Sequence, residues 1–205
     1  MGSRGQIIKR KAKAHHSTYL LPLKIKQINF MKEFEIRLTT INDCNKIYKL
    51  YKEVSNTTGG IARTTNEITE DYIYSFTTKA LDTGLQFVVE NTQEGTIVGE
   101  IHCYKLEPKV FSHVFSDLTI VVHPSYQGNG LGNELFKTLL NSVKYEWKDI
   151  LRIELIARES NKKAILFYEH LGFKKEGRLL NRIRSGKNDF ESDIPMAWMN
   201  ENFVP

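Results

Sequence analysis

Apolar positions along the chain switch between two periods, and the switches mark its elements. Phe34, Ile36 and Leu38 alternate with Glu35 and Arg37, which predicts a half-buried strand. Thr40-Ile-Asn-Asp43 supplies caps for a helix whose inner positions Ile47, Leu50, Tyr51 and Val54 follow the 3.6-residue period. A break over 55–60 ends it. A second helix is predicted over 66–82, with Ile68, Tyr72, Ile73, Phe76 and Leu81 facing inward. Strands follow over 85–90, 96–106 and 114–122. The first two are joined by Thr92-Gln-Glu-Gly95, where the glycine suits a positive φ. Leu131, Leu135, Leu139 and Val143 then fall one per turn on one stripe of a helix. A strand over 151–157, a helix over 160–170 closed by Gly172, and an antiparallel pair over 173–180 and 190–199 complete the order. β-α-α-β-β-β-α-β-α-β-β predicts an α/β domain (α+β in its mostly antiparallel pairing), a mixed sheet with helices on both faces.

Length and composition fit a single globular domain. The chain has 205 residues, 40% hydrophobic and 26% charged. Cys44 and Cys103 form no metal or redox motif, which suits a reduced, cytoplasmic chain. No apolar run reaches the roughly 18 residues of a membrane span, so no membrane partner is expected. The formal charge of +5 is unevenly spread. Arg4, Lys9, Arg10, Lys11, Lys13, Lys24 and Lys26 precede any acidic residue, so the remainder is net acidic. Such a leader could attract nucleic acid or a membrane surface, or serve as a transit peptide. The reading adopted is plainer: residues 1–32 are a disordered or non-native extension ahead of one domain over 33–205, and nucleic acid is not an expected partner.

Chemistry concentrates after the strand at 114–122. Pro124 ends that strand, and Gln127-Gly128-Asn129-Gly130-Leu131-Gly132 leads into the next helix. Glycines let the backbone approach a ligand, and the first N–H groups of a helix are unpaired, so the turn is an anion site. No Lys-Ser or Lys-Thr follows, which excludes a P-loop. Gly-x-Gly-x-Gly also differs from the Gly-x-Gly-x-x-Gly of dinucleotide folds. Gln-x-x-Gly-x-Gly after a strand ending in Val-x-Pro resembles the acetyl-CoA pyrophosphate loop of the GCN5-related N-acetyltransferase (GNAT) superfamily.

A second stretch supports that resemblance. Asn161 and Tyr168 are two helical turns apart, with a rise of about 10.5 Å between them, so one face can carry an extended ligand. Asn-x-x-Ala-x-x-x-Tyr-x-x-x-Gly-Phe, ending at Phe173, is similar to the second GNAT signature. The likeness runs from Glu35 to about Met199. It points to the branch acting on amines and amino acids, near the phosphinothricin and polyamine acetyltransferases. It implies a central sheet of about seven strands, mostly antiparallel, with a V-shaped splay for acetyl-CoA.

The same resemblance implies roles for residues. Ile120, Val121 and Val122 are expected to offer backbone groups to pantetheine, as a peptide adds to a sheet edge, and an N–H near Val122 to polarise the thioester carbonyl. The amides of Gln127, Gly128, Asn129, Gly130, Leu131 and Gly132 would cradle the pyrophosphate. Asn161 would hold the pantetheine or phosphate arm, and Tyr168 would protonate the leaving thiolate. For the general base the candidates are Asp117, where relatives carry a carboxylate, and Glu100. His102 lies on the face of Glu100, two residues on, but it and His123 read as ordinary strand and loop histidines.

No His/Cys/Asp/Glu cluster has metal spacing, so no metal is expected. The absence of a Gly-x-Ser-x-Gly elbow favours direct attack in a ternary complex over an acyl-enzyme. The expected reaction is acetyl transfer from acetyl-CoA to the primary amine of a small molecule. The alternatives are an acetyltransferase of protein N-termini, of the ribosomal-protein type, and a non-catalytic acetyl-CoA-binding module. Dimers are common in the family, so the resemblance allows a homodimer, while the sequence itself does not give the oligomeric state.

Overall fold

The computed structural model describes residues 33–57 and 61–205, and the expectation of a leader over 1–32 lies outside them. Eight strands and four α-helices follow in the expected order. They are β1 (Phe34–Leu38), α1 (Cys44–Ser55), α2 (Glu70–Thr83), β2 (Gly84–Asn91), β3 (Thr96–Lys105), β4 (Val114–Val122), α3 (Leu131–Glu146), β5 (Arg152–Arg158), α4 (Lys162–His170), β6 (Lys174–Lys175), β7 (Leu179–Arg184) and β8 (Phe190–Met199). The sheet runs β1-β2-β3-β4-β5-β8-β6, with β7 also paired to β8. Neighbours are antiparallel except β4 and β5.

That parallel pair is brief. Val114 faces Arg152 and Phe115 faces Ile153, and there the ladder stops although both strands continue. From Ser116 onward β4 turns one edge to an opening wedge. The expected splay is therefore present, and its cause is local. Asp117 has φ 53°, and the β3–β4 register slips between His102 and Tyr104, which together bend β4 at a bulge.

Two cores sandwich the sheet. On one face Leu131, Leu135, Leu139 and Val143 of α3 are all buried against Phe87, Ile101 and Phe115, each contributing about 1.5–3 kcal/mol of transfer free energy. On the other face Ile47, Leu50, Tyr51 and Val54 of α1 meet Ile73 and Phe76 of α2 over Val88 and Val121.

Three details depart from expectation. The second helix starts at Glu70 rather than near 66, because two caps compete. Thr64 closes a single 3-10 turn over Thr65–Glu67, and the Thr69 side chain then accepts from Tyr72 N–H to begin α2. Leu81 is exposed rather than inward; Thr77 and Ala80 take that face. The penultimate strand is split into β6 and β7 and runs on to Arg184. Gly95 and Gly172 both adopt the positive φ that a hairpin turn and a helix stop require.

Candidate active site

The wedge between β4 and β5 opens into a cleft of about 700 Å³. One wall comes from α2, β3 and the bulge of β4: Tyr72, Phe76, His102, Tyr104 and Asp117. The other comes from β5 and α4, with Ile156, Asn161 and Tyr168 among its residues. Asp117, Ile120, Asn161 and Tyr168, widely spaced in sequence, therefore share one cavity.

At the far end of β4 the chain turns through a 3-10 turn over Pro124–Tyr126 into the glycine loop. Gly128 and Gly130 have φ of 82° and 84°, left-handed values that L side chains resist. The first acceptor bond of α3 is Glu134 N–H to Gly130 O. The N–H groups of 128–133 find no acceptor among the described residues, so they remain available to an anion. Gly132 leaves space as well. A Cβ there would meet nothing nearer than Ile120 Cδ1 at 3.7 Å. The loop thus fits a pyrophosphate by its amides and its missing side chains. Gln127 is held differently. Its Nε2 donates to Val122 O at 2.9 Å, clamping the loop to the end of β4. Leu131 is buried in the core, so only its backbone can face a ligand.

Asn161 is not inside α4 but caps it, its Oδ1 accepting from Ala164 N–H at 3.0 Å. Its amide nitrogen meets no acceptor among the described residues. Tyr168 is partly buried among Phe136, Phe167 and Phe173, with ring centroids 5.5–6.1 Å away. Burial pushes its hydroxyl up to about 12, so it keeps its proton at any physiological pH.

The two candidate bases are placed differently. Asp117 is exposed at the cleft and holds the Tyr104 hydroxyl; burial first, and then this carboxylate, pushes the Tyr104 pKa up. Glu100 does not reach the cleft. It is fully buried, taking the Tyr51 hydroxyl at 2.6 Å and Gln86 Nε2 at 2.8 Å. His102 Nδ1 lies 2.9 Å from the same carboxylate. Direct contact of Glu100 with a substrate is thereby corrected, since β3's alternation points it beneath α1. His102 reads from the sequence as an ordinary strand histidine, whereas its ring lines the cleft. The signal was its period-two spacing from Glu100, which carries no information on what caps the pair. His123, read as a loop histidine, caps the 3-10 turn through Ser125 N–H and reaches Glu53 at 3.1 Å.

No cluster of three or more His, Cys, Asp or Glu able to hold a metal occurs among the described residues. Among them no helix is long and apolar enough to cross a membrane.

A splayed mixed sheet with a left-handed glycine loop below the splay defines the N-acetyltransferase class of fold. The acetyltransferase (GNAT) family model matches residues 45–173, and the chain belongs to that family. It is similar to spermidine N(1)-acetyltransferase of Escherichia coli K12, 32% identical over 71 residues, 35% of this chain and 38% of that protein. It spans 27–54% of the length of the curated relatives it matches. A GNAT-family acetyltransferase from Streptococcus pneumoniae superposes with a TM-score of 0.73 at 21% identity, covering 82% of this chain and 99% of that one. A putative acetyltransferase from Salmonella typhimurium, solved with its cofactor acetyl-CoA, gives 0.70 at 19% identity, covering 84% and 97%. At those identities the two structures speak for the fold.

Proposed function

We propose that the protein transfers an acetyl group from acetyl-CoA to the primary amine of a small molecule, by direct attack within one ternary complex. The observation that carries this is the wedge itself. Its unpaired β4 edge runs from the Tyr168 cleft to the free amides of 128–133. An extended ligand with an anionic end and a reactive end fits such a path.

Acetyl-CoA would supply the activated acyl group as a thioester. The chain's residues do the rest. The amides at 128–133 bind the pyrophosphate, with the positive end of α3 behind them. The open edge over Ile120–Val122 aligns the pantetheine arm, and the free amide of Asn161 donates to it. A backbone N–H near Val122 draws charge from the carbonyl oxygen. Tyr168, protonated and without a protein hydrogen bond among the described residues, gives its proton to the departing sulfur. The aromatic wall of Tyr72, Phe76 and Tyr104 holds an acceptor's carbon skeleton, and the Asp117 carboxylate draws its ammonium toward the cleft.

The resemblance to a spermidine acetyltransferase, partial in length, agrees with a small amine. A thiol-release assay against amines, amino acids and N-terminal peptides tests the reading. Turnover of a small amine is the expected result. Acetyl-CoA binding with no turnover of anything would turn the reading toward a binding module, and turnover of peptides alone toward protein N-termini.

A further inference from the structure

The buried polar cluster under α1 and α2 is more elaborate than packing requires. Glu100 sits at 0% exposure with three side chains converging on it: Tyr51 from α1, Gln86 from β2 and His102 from its own strand. A carboxylate is costly to bury, and this one is held by three polar groups at once. A charge so placed can act on a neighbour.

What it acts on is His102. The imidazole is stacked 4.2 Å from Phe76 at 11° between planes, and the Tyr104 ring lies parallel to it at 6.1 Å. Its hydrogen bonds are made at the ring edges. One edge, Nδ1, meets Glu100. The opposite edge, Nε2, has no protein partner among the described residues, and the ring lines the cleft. A carboxylate at Nδ1 fixes the proton on that nitrogen, so Nε2 presents its lone pair to whatever occupies the cleft.

Resting on the acetyl-transfer reading above, we infer that His102 is the general base of the reaction and that Glu100 is its positioning residue. Nε2 takes one proton from the acceptor's ammonium, breaking that N–H bond and leaving the pair on nitrogen, then passes the proton to solvent. As the N–C bond forms and the C–S bond breaks, the sulfur gains a proton from Tyr168, and the second proton shed by the nitrogen returns through solvent to the Tyr168 oxygen. The net yield is amide, free thiol and one proton. Glu100, desolvated and fixed, favours the imidazolium that forms, which is how a buried acid orients a histidine base in hydrolases. The other groups facing this site are Tyr51 from α1, Tyr72 from α2, Tyr104 beside the ring, and Asp117 and Arg63 at the cleft mouth.

Two variants and one spectrum test it. His102→Asn keeps a donor near Glu100 and removes the base. It should lose 10²–10⁴-fold in kcat, while acetyl-CoA affinity and melting temperature stay near wild type. It should also lose the fall in kcat/KM on acidification. Glu100→Gln should lower kcat more than it raises KM, and should shift that acid limb. In the free wild-type protein, nitrogen NMR should find His102 protonated on Nδ1 and bare on Nε2. His102→Asn turnover within about threefold of wild type, an unchanged acid limb, or a proton on Nε2 would each overturn the assignment while leaving acetyl transfer intact. A wild type that binds acetyl-CoA and acetylates nothing overturns the proposed function first, and the base with it.

Discussion

The two faces of the sheet are packed on opposite terms. Behind α3, the middle of the sheet offers Phe87, Ile101 and Cys103 to Leu135, Phe136 and Leu139, and the interior there is hydrocarbon with one thiol, the buried polar groups of Ser142 and Asn200 lying at the C-terminal end of α3. Behind α1 and α2, Thr77, Gln86, Glu100 and His102 are buried among Tyr51, Ile73 and Phe76. The first face supports a site made of backbone: the glycine loop needs only a rigid helix beneath it. The second supports a site made of side chains, whose charge and tautomer must be set from below. The proposed function divides the work along the same line, giving the acetyl donor to main-chain amides and the tuning of the reacting groups to a polar core.

The sharpest way to break this comparison is Tyr168→Phe. Tyr168 stands on the hydrocarbon side, yet its proposed role is played by its side chain. Removing only the hydroxyl should cost 10²–10⁴-fold in kcat by thiol release, with acetyl-CoA affinity by calorimetry unchanged within twofold. Because its pKa is raised to about 12, wild-type activity should show no alkaline limb from this group below pH 10. Equal turnover in the variant would remove side-chain chemistry from that wall.

Acid should separate the faces next. α1 is tied to β1 by Arg37, whose guanidinium meets Asp43 Oδ1 at 2.8 Å, while Asp43 Oδ2 takes the Thr40 N–H at 2.8 Å. The Arg37 hydrogen bond is the chief reason the Asp43 carboxyl drops from 3.8 to about 2. A depressed carboxyl stabilises the fold above its unfolded pKa and stops doing so as pH falls through the folded one. The window is therefore pH 4 to 2. About 1–2 kcal/mol should go, after allowance for the partly exposed arginine. Hydrogen exchange across that window should loosen α1 before α3; the reverse order would contradict the division.

Gly130→Val tests the main-chain site. A β-branched residue at φ 84° costs about 1–2 kcal/mol, which should weaken acetyl-CoA roughly tenfold by calorimetry without touching the acid limb of the pH profile. An unchanged affinity would mean the loop's left-handed turn is not what receives the anion.

The division also explains what the sequence disclosed. A main-chain site must be written locally, since consecutive amides come from consecutive residues, and the alternating glycines from Gln127 to Gly132 are legible as such a turn. The order of elements was legible for the same reason, each strand or helix carrying its own period. The side-chain site gathers α2, β3, β4 and α4 across 92 residues from Phe76 to Tyr168, so no local pattern spells it. Glu100 and His102 stood two apart in plain view, yet only the stacking of Phe76 and the reach of Tyr51 give the pair a direction. Leu81 fits the helical period too, yet the face that α2 buries is set by Ile73, Phe76, Thr77 and Ala80, and Leu81 is left exposed.

Asp117 tests the smallest difference and chooses between the two acids. Its backbone sits at φ 53°, a conformation asparagine accepts as readily as aspartate, so Asp117→Asn leaves the bulge of β4 alone. The amide oxygen can still accept from Tyr104, and the Tyr104 pKa should come part of the way back down as the neighbouring charge goes. What the variant removes is one exposed negative charge at the mouth of the cleft. An exposed pairing of that kind is weak, so the acceptor KM should rise about fivefold, with kcat and acetyl-CoA affinity little changed and the effect shrinking in salt. A 100-fold fall in kcat instead would make Asp117 the base. His102 would then be a stacked imidazole over a buried acid, and the polar core a feature of packing alone.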